Sequence, residues 1–417
     1  MRGVSTTSLA ATDGAFGAGV AHGPPTTRGP RASSIDIVRG AVMVLMVLDH
    51  ARDFFFGLQV RPTDLNRTWV TLFVTRWVTH FCAPVFVFLA GLSAELYRAR
   101  HAATAASSDD GRAATSRFLL TRGLWLVFLE LTVIRLCWIP DLGYHFTLIQ
   151  VIWTIGWSMI VLAGLVWLPR PAVGLVGFAI VALHNLLDPV HAKTLGPFGW
   201  LWNLLHEQAM LQPAPGHMVF VSYPVLPWIG IMALGYACGA IYQHPAPERR
   251  RSLLRLGGAA IVVFVVLRAI NSYGDPGPWH VQPRGFVYTL FSFLNCEKYP
   301  PSLLFTLMTL GPALCLLGAL EDRQPPRIAA PLAIFGRVPL LFYVGHLVLL
   351  RYVSAPIAFV KFGPSAFRPP PGHAGSPELP LYVAYLAWLA ALLLLYPLCK
   401  WFAGLKNRRR DAWLSYL

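Results

Sequence analysis

The sequence predicts an all-α integral membrane protein, a polytopic bundle of about ten transmembrane helices with both termini in the cytoplasm. Three observations predict this class. Of the 417 residues, 55% are hydrophobic, only 13% are charged, and the mean hydropathy is +0.54. Because soluble proteins carry about 25% charged residues, this composition excludes an ordinary soluble protein and requires the bilayer as solvent.

Apolar runs long enough, or nearly long enough, to span a membrane follow one another along the chain. They are Ile35–Gly57, Trp77–Tyr97, Phe118–Ile139, Phe146–Leu168, Ala172–Leu187, Met218–Tyr242, Leu253–Ile270, Pro301–Leu320, Ile328–Val353 and Leu381–Lys400. The fifth run is the shortest and contains His184 and Asn185, which indicates a tilted, broken or re-entrant span. We expect residues 1–33 to form a disordered cytoplasmic tail, residues 34–403 the membrane domain, and residues 404–417 a short basic cytoplasmic tail.

The net charge of +15 does not indicate nucleic-acid binding. The basic residues are scattered in short clusters between apolar runs, whereas a nucleic-acid surface gathers them on one soluble domain. With the amino terminus in the cytoplasm, the inner segments carry roughly three times as many arginines and lysines as the outer segments, which predicts both termini inside. We therefore expect the lipid bilayer, with its anionic headgroups, to be a partner of the chain.

The end of the first run carries a polar face. At 100° per residue, Asp49, His50, Arg52 and Asp53 fall within an arc of about 160° on a helix. Ionisable groups in a membrane span are costly, so each needs a partner or a function. His50 either caps the end of the span or acts in chemistry or substrate binding.

Four other segments bring polar groups to a similar depth in the membrane, on the side facing away from the cytoplasm. These groups are Arg76, His80, Glu130, Arg135, His145, Gln150 and His346. Such convergence predicts a buried substrate site open to that side. Other interpretations remain open: His80 and His346 as hydrogen-bonded core histidines, His145 as a loop residue, and Glu130 with Arg135 as a structural ion pair.

The sequence lacks the common motifs of other chemistries. It contains no phosphate-binding glycine loop, no HExxH and no nucleophile elbow, and no cysteines at metal-ligand spacing. We therefore predict no metal site and no permanently bound cofactor. The residues that remain as candidates for catalysis are histidines next to carboxylates. This combination suits general-base activation of a hydroxyl or amine.

Several motifs resemble a known family. SIDIVRG at residues 34–40, with Asp49-His50 after it, and TRWVTHFCAPVFVFLAG at residues 75–91 are similar to bacterial membrane proteins grouped with the catalytic domain of heparan-alpha-glucosaminide N-acetyltransferase. Weaker similarities follow at PVLPWIG (224–230), YPPSL (299–303), LMTLGP (307–312) and FGRVPLLFYVGH (335–346). The resemblance covers roughly residues 34–400.

The resemblance implies a transmembrane acyltransferase in the bacterial cytoplasmic membrane. An acetyl or other acyl group would pass from acyl-CoA, as co-substrate, to a sugar or envelope acceptor in the periplasm. Arg39 and Arg337, near the cytoplasmic ends of their spans, would hold the CoA phosphates. Alternatively, Asp36 and Arg39 pair locally at their i, i+3 spacing.

One departure from the family bears on catalysis. The functional histidine of the animal enzyme lies between the positions that match His50 and His80, and this sequence has no histidine there. We therefore predict His50 as general base, oriented by Asp49 or Asp53, with His80 close by. A transporter or flippase in which the same groups line a substrate path is the alternative function, and a non-catalytic scaffold is a third. A homo-oligomer is compatible with the sequence.

Overall fold

The computed structural model describes residues 33–57, 60–103, 108–321, 327, 329–367, 375–409 and 414. It is 75% helical, which confirms a mainly helical fold. In the described residues the α-helices are α1 (Ser33–Ala51), α2 (Val70–Thr79), α3 (Cys82–Ala102), α4 (Ser108–Leu129), α5 (Arg135–Trp138), α6 (Val151–Leu165), α7 (Arg170–Leu183), α8 (Gly199–Leu205), α9 (Leu226–Cys238), α10 (Ala246–Ile270), α11 (Phe286–Leu294), α12 (Leu303–Leu320), α13 (Ala329–Arg337), α14 (Pro339–Phe362) and α15 (Leu381–Arg408).

Shorter elements connect these helices. Two π-helical turns, Arg52–Phe56 and Glu130–Ile134, extend α1 and join α4 to α5, respectively. The 3₁₀ turns are His184–Leu187, Ala192–Phe198, Gly239–Gln243 and Gly363–Phe367. The predicted tail at 1–33 lies outside the described residues except for Ser33, where α1 begins. Helix α15 continues to Arg408, beyond the predicted boundary at 403.

Among the described residues, six helical stretches are long and apolar enough to cross a membrane. They are Val70–Ala102, Arg170–Leu187, Ala246–Ile270, Leu303–Leu320, Pro339–Phe367 and Leu381–Arg408. Each overlaps one of the ten predicted runs. The runs that begin at Ile35, Phe118, Phe146 and Met218 are not among the six, so the count of about ten spans stays a prediction.

A small sheet departs from the all-α prediction. It contains β1 (Phe146–Ile149), β2 (Ala209–Ala214) and β3 (His217–Val221) in the order β1-β3-β2, with β1 parallel and β2 antiparallel to β3. The strands β1 and β3 occupy the first residues of the predicted fourth and sixth spans. Short runs rich in β-branched and aromatic residues can form either a strand or a buried helical segment. Their apolarity alone therefore did not distinguish strands from spans.

Helix α1 lies at the centre of the fold, where it contacts α2, α3, α12, α13, α14 and α15. Its closest neighbour is α13. A Cβ atom at Gly40 would overlap the backbone carbonyl of Leu332, and one at Gly336 would overlap the carbonyl of Asp36. Small residues at such crossings let two helix backbones touch, as is common between membrane helices.

We expect Gly336→Ala to destabilise the protein by about 1–3 kcal/mol, because the added methyl group must separate α13 from α1. Thermal unfolding in detergent measures this change. Gly404→Ala in α15 is the matched control, since a Cβ there meets no atom within 4 Å and alanine favours helix more than glycine does. Equal melting temperatures for Gly336→Ala and the unmodified protein would contradict the close packing.

Candidate active site

The last turn of α1 and the π turn after it carry the polar residues predicted for this segment. Asp49 and His50 are each 8% exposed and Arg52 is 4% exposed. A π turn adds one residue to a helical turn and so redirects the side chains that follow; such turns are frequent at functional sites. Burial of three ionisable side chains within four residues requires partners from other helices.

His50 is paired with His346 of α14. The Nδ1 atom of His50 lies 2.7 Å from Nε2 of His346, and the two rings stack with centroids 5.0 Å apart. Nδ1 of His346 lies 2.9 Å from the carbonyl oxygen of Phe342, so this nitrogen carries the proton when the ring is neutral. Nε2 of His346 then accepts from Nδ1–H of His50, which leaves Nε2 of His50 as the basic nitrogen of the pair.

Two aromatic side chains meet His50 edge-on. The ring of Trp138 lies 5.0 Å from that of His50, and the ring of Tyr343 lies 6.2 Å away. The indole Nε1 of Trp138 and the hydroxyl of Tyr343 are buried and interact with each other, with the indole N–H as donor. The O–H of Tyr343 is then the donor near the histidine pair that is available to a substrate.

Asp49 is the centre of a second group, the Asp49 cluster, formed with Arg52, Arg76 and Thr79. Nη1 of Arg76 donates to both carboxylate oxygens of Asp49, at 3.0 and 2.9 Å, and the hydroxyl of Thr79 donates at 2.7 Å. Nη1 of Arg52 forms an ion pair with Asp49 at 2.7 Å, and its Nη2 binds Asp53 at 2.6 Å. The structure thus gives Asp49 and Asp53 arginine partners, while the ring of His50 donates its hydrogen bond to His346.

Lys298 and Tyr299 extend the Asp49 cluster, and sequence reasoning missed both. Nη2 of Arg76 donates to the hydroxyl of Tyr299 at 3.4 Å, and the ammonium of Lys298 lies 5.0 Å from the Tyr299 ring. Burial raises the pKa of Tyr299, but the positive charges of Lys298 and Arg76 outweigh this effect and lower it. Tyr299 opens the YPPSL motif, and Lys298 precedes it; that motif was the available signal.

His80 lies at the end of α2 and is 3% exposed. Its ring centroid lies 5.3 Å from that of Phe305, and Arg76, Lys298 and Asp49 are among the charged groups that act on it. Its Nδ1 atom has no hydrogen-bond partner among the described residues. His80 therefore belongs beside the Asp49 cluster, and no hydrogen bond joins it to His50 in that part of the structure.

Glu130 is completely buried in the second π turn and supports α6. Its Oε1 atom accepts a hydrogen bond from the backbone N–H of Gln150 at 2.8 Å, immediately before that helix. A carboxyl oxygen at this position satisfies a backbone N–H at the start of the helix that has no partner within the helix. Glu130 also acts electrostatically on Tyr343, which contacts His50.

Arg135 does not pair with Glu130, so the interpretation of an ion pair between them is wrong. Its Nε atom donates to the hydroxyl of Thr147 at 3.1 Å, and its guanidinium lies 3.7 Å from the centroid of the Tyr144 ring. Arg135 also pairs with Asp141 at 3.4 Å. These contacts tie the end of the helix to the loop before β1, which is a positioning role that the sequence did not reveal.

His145 lies in the same loop and is exposed. Its Nδ1 atom lies 3.1 Å from Asp141. Burial raises the pKa of Asp141, but the hydrogen bonds from His145 and Gly143 together outweigh this effect and lower it. The structure gives neither His145 nor Arg135 a contact with the histidine pair among the described residues. Of the predicted site residues, the structure pairs His50 with His346 and groups Asp49 with Arg52 and Arg76, with His80 beside them. Glu130 and Gln150 contact each other, and Arg135 and His145 lie apart from both groups.

The two predicted CoA-binding arginines meet near the other end of α1, where Arg39 lies on α1 and Arg337 ends α13. Nη1 of Arg39 donates to Asp36 at 3.2 Å and its Nη2 donates to Ser93 at 3.0 Å. Nε of Arg337 lies 3.6 Å from the other oxygen of Asp36, and 38% of the Arg337 side chain is exposed. At a rise of about 1.5 Å per residue, His50 lies about 16 Å along α1 from Arg39.

One family model matches the chain. It is described as heparan-alpha-glucosaminide N-acetyltransferase, catalytic, and it matches residues 31–270, which is more than half of the 417 residues. The matched segment contains the Asp49 cluster, His50 and His80, and it ends before Lys298 and His346. No curated protein matches the chain at a significant level.

We expect Asp49→Asn to destabilise the protein by about 3–5 kcal/mol, because it leaves two buried guanidinium groups without their shared carboxylate. Thermal unfolding in detergent measures the loss. Asp53→Asn is the matched control. Its side chain is 39% exposed and binds only Arg52 among the described residues, so we expect a cost of about 1 kcal/mol or less. A similar cost for both variants would show that Asp49 is not the main counter-charge.

Proposed function

The chain belongs to the heparan-alpha-glucosaminide N-acetyltransferase catalytic family, and on that premise we propose that it is an acyltransferase that uses acyl-CoA. It is a multi-pass membrane protein of acetyltransferase-like type. The proposed reaction moves an acetyl or other acyl group from CoA to a hydroxyl or amine of a sugar or envelope component. The proposed location is the cytoplasmic membrane of a bacterium.

The proposed topology has about ten spans, with both termini in the cytoplasm. In this orientation the carboxyl end of α1 faces the periplasm and its amino end faces the cytoplasm. The acceptor would then reach His50 from outside, while acyl-CoA would approach Arg39 and Arg337 from inside. The charge asymmetry of the connecting segments supports this arrangement.

The buried pair of His50 and His346 is the observation that carries the proposal. In the proposed reaction, Nε2 of His50 takes the proton from the acceptor as its oxygen or nitrogen attacks the thioester carbonyl. The C–S bond then breaks, and the CoA thiolate leaves and takes the proton from His50. The lone pair on Nε2 of His346 stabilises His50 while it is positively charged, because the Nδ1–H of His50 donates to it.

An acyl-histidine route uses the same atoms. Nε2 of His50 would attack the thioester, release CoA, and pass the acyl group to the acceptor in a second step. In either route the carbonyl oxygen develops negative charge. The O–H of Tyr343, on a ring in edge contact with His50, is our candidate for stabilising that oxygen. The Trp138 indole, which interacts with the Tyr343 hydroxyl, would orient it.

The Asp49 cluster serves the acceptor in this proposal. Asp53 is partly exposed, and Lys298 brings a third cation to a site that already contains Arg52 and Arg76. Carboxylate and ammonium groups at the edge of a cavity bind sugar hydroxyls or an anionic acceptor. His80, beside these charges, is the second candidate for proton transfer.

Donor binding is assigned to the Asp36 end of α1. Asp36 holds Arg39 and Arg337 on one carboxylate, and Arg337 is exposed enough to bind a CoA phosphate. The pantetheine arm, which separates the CoA phosphates from the thioester, would have to cover the distance of about 16 Å to His50. This arrangement explains how a cytoplasmic donor reaches an acceptor on the other side.

We expect His50→Ala to abolish acyl transfer, and His346→Ala to reduce kcat about 10²–10⁴-fold, because the proton acceptor or its orienting partner is lost. The assay is CoA release by purified protein in detergent with a panel of amino and hydroxy sugars. His244→Ala is the control, since His244 is exposed and pairs with Glu248 at 3.5 Å. Full activity of His50→Ala would remove His50 from the mechanism, and substrate movement without CoA turnover would favour a transporter.

We expect Arg337→Ala to raise KM for acyl-CoA about tenfold with a smaller change in kcat, because a phosphate contact is lost while the histidine pair is unaffected. Arg255→Ala is the matched control, an exposed arginine on α10. Steady-state kinetics with acetyl-CoA measures both parameters. An unchanged KM in Arg337→Ala would place the donor elsewhere.

A further inference from the structure

A cluster of two histidines and one aspartate lies where α7 ends. His184 begins the 3₁₀ turn after α7, Asp188 follows that turn, and His206 follows α8. His184 is 2% and His206 is 3% exposed. The cluster is separate from the histidine pair and from the Asp49 cluster.

The three side chains offer ligand atoms that face one another. One nitrogen from each histidine and one carboxylate oxygen of Asp188 all lie within 4.8 Å of one another. Nε2 of His206 lies 3.0 Å from Oδ1 of Asp188, and the two imidazole rings cross at 72° with centroids 5.6 Å apart. Binding of one metal ion by all three side chains would draw these ligand atoms closer together.

Hydrogen bonding within the protein does not satisfy this cluster. One ring nitrogen of His184 interacts with the backbone carbonyl of Pro301, and the other has no partner among the residues that the structure describes. Nδ1 of His206 is also buried without a hydrogen bond of standard geometry in that part of the chain, and an unsatisfied buried nitrogen is costly. The remaining nitrogen of His184, beside a carboxylate and a second imidazole, indicates that the site binds something further, and a histidine that ligates a metal commonly donates its other N–H to a carbonyl in this way.

Asn185 holds the carboxylate in place. Its Nδ2 atom donates to Oδ2 of Asp188 at 2.9 Å, and its Oδ1 atom accepts from the backbone N–H of Leu303 at 3.0 Å. This leaves Oδ1 of Asp188 directed at the histidines. Carboxylate ligands of metal ions are commonly fixed by such a second hydrogen bond.

We propose that His184, Asp188 and His206 bind a divalent transition-metal ion, with Zn²⁺ as the best-fitting ion. Two imidazoles and one carboxylate form a common three-ligand zinc set, and a fourth position is left for water or another ligand. The ion would bind one nitrogen of each imidazole and one oxygen of Asp188, and it would replace the hydrogen bond between His206 and Asp188.

The bound ion would join two parts of the fold. Through Asn185, its ligands are tied to the start of α12 at Leu303, four residues beyond Tyr299 in the chain. The ion would therefore stabilise the segment from α7 to α8 against the loop that carries Lys298 and Tyr299. This role is structural and does not depend on the proposed acyl transfer.

The test uses the full-length protein in mild detergent, stripped with EDTA, incubated with ZnCl₂ and then dialysed. We expect about one zinc ion per chain by mass spectrometry of the metal content. His184→Gln and Asp188→Asn should lose most of this zinc. His191→Ala is the matched control, because His191 also lies beside a carboxylate, Glu207 at 3.4 Å, but is exposed; it should keep the zinc.

Thermal unfolding separates loss of the site from loss of the fold. ZnCl₂ should raise the melting temperature of the unmodified protein and of His191→Ala, and should not raise that of His184→Gln, while all three should elute as single species in EDTA. Absence of zinc from the unmodified protein, or equal zinc in His184→Gln, would overturn the proposal. If the unmodified protein binds zinc but transfers no acyl group, that result contradicts the proposed acyltransferase function and leaves the zinc site supported.

Discussion

The ion pairs around the Asp49 carboxylate are the constraint on which the rest of the candidate site depends. Two buried guanidinium groups would be very costly at this depth without a counter-charge, and one carboxylate serves both. Arg76 and Thr79 lie on α2, and Arg52 lies in the π turn. Because all three bind Asp49, this carboxylate fixes α2 and the π turn to α1. His50, the next residue, is thereby held where it meets His346 of α14.

Predictions from the sequence agreed best with the structure for features that depend on one segment of the chain. Composition identified a mainly helical membrane protein, because burial in lipid leaves few alternatives for the backbone. The helical period placed Asp49, His50 and Arg52 on one face, and the structure finds all three buried at the end of one helix. The grouping of Arg39 with Asp36 followed from their spacing in the same way.

Contacts between segments could not be read from one sequence. The partner of His50 depends on how α1 and α14 pack, and Glu130 and Arg135, although close in the chain, turn to different neighbours. Nothing in the sequence pattern placed Lys298 at the site, and only the packing of its segment brings its charge close enough to act on Asp49. The strands β1 and β3 were missed because short apolar runs suit both kinds of secondary structure.

The two π turns restrict how this chain can change in length. Each is equivalent to one residue inserted into an α-helix, and deleting it would rotate everything beyond the turn by about 100°. In the second turn, that rotation would turn Trp138, which follows the turn, relative to α4, which precedes it, and would carry the indole away from His50. Homologues that keep this chemistry should therefore vary in length within their connecting loops and conserve the residue count across both turns.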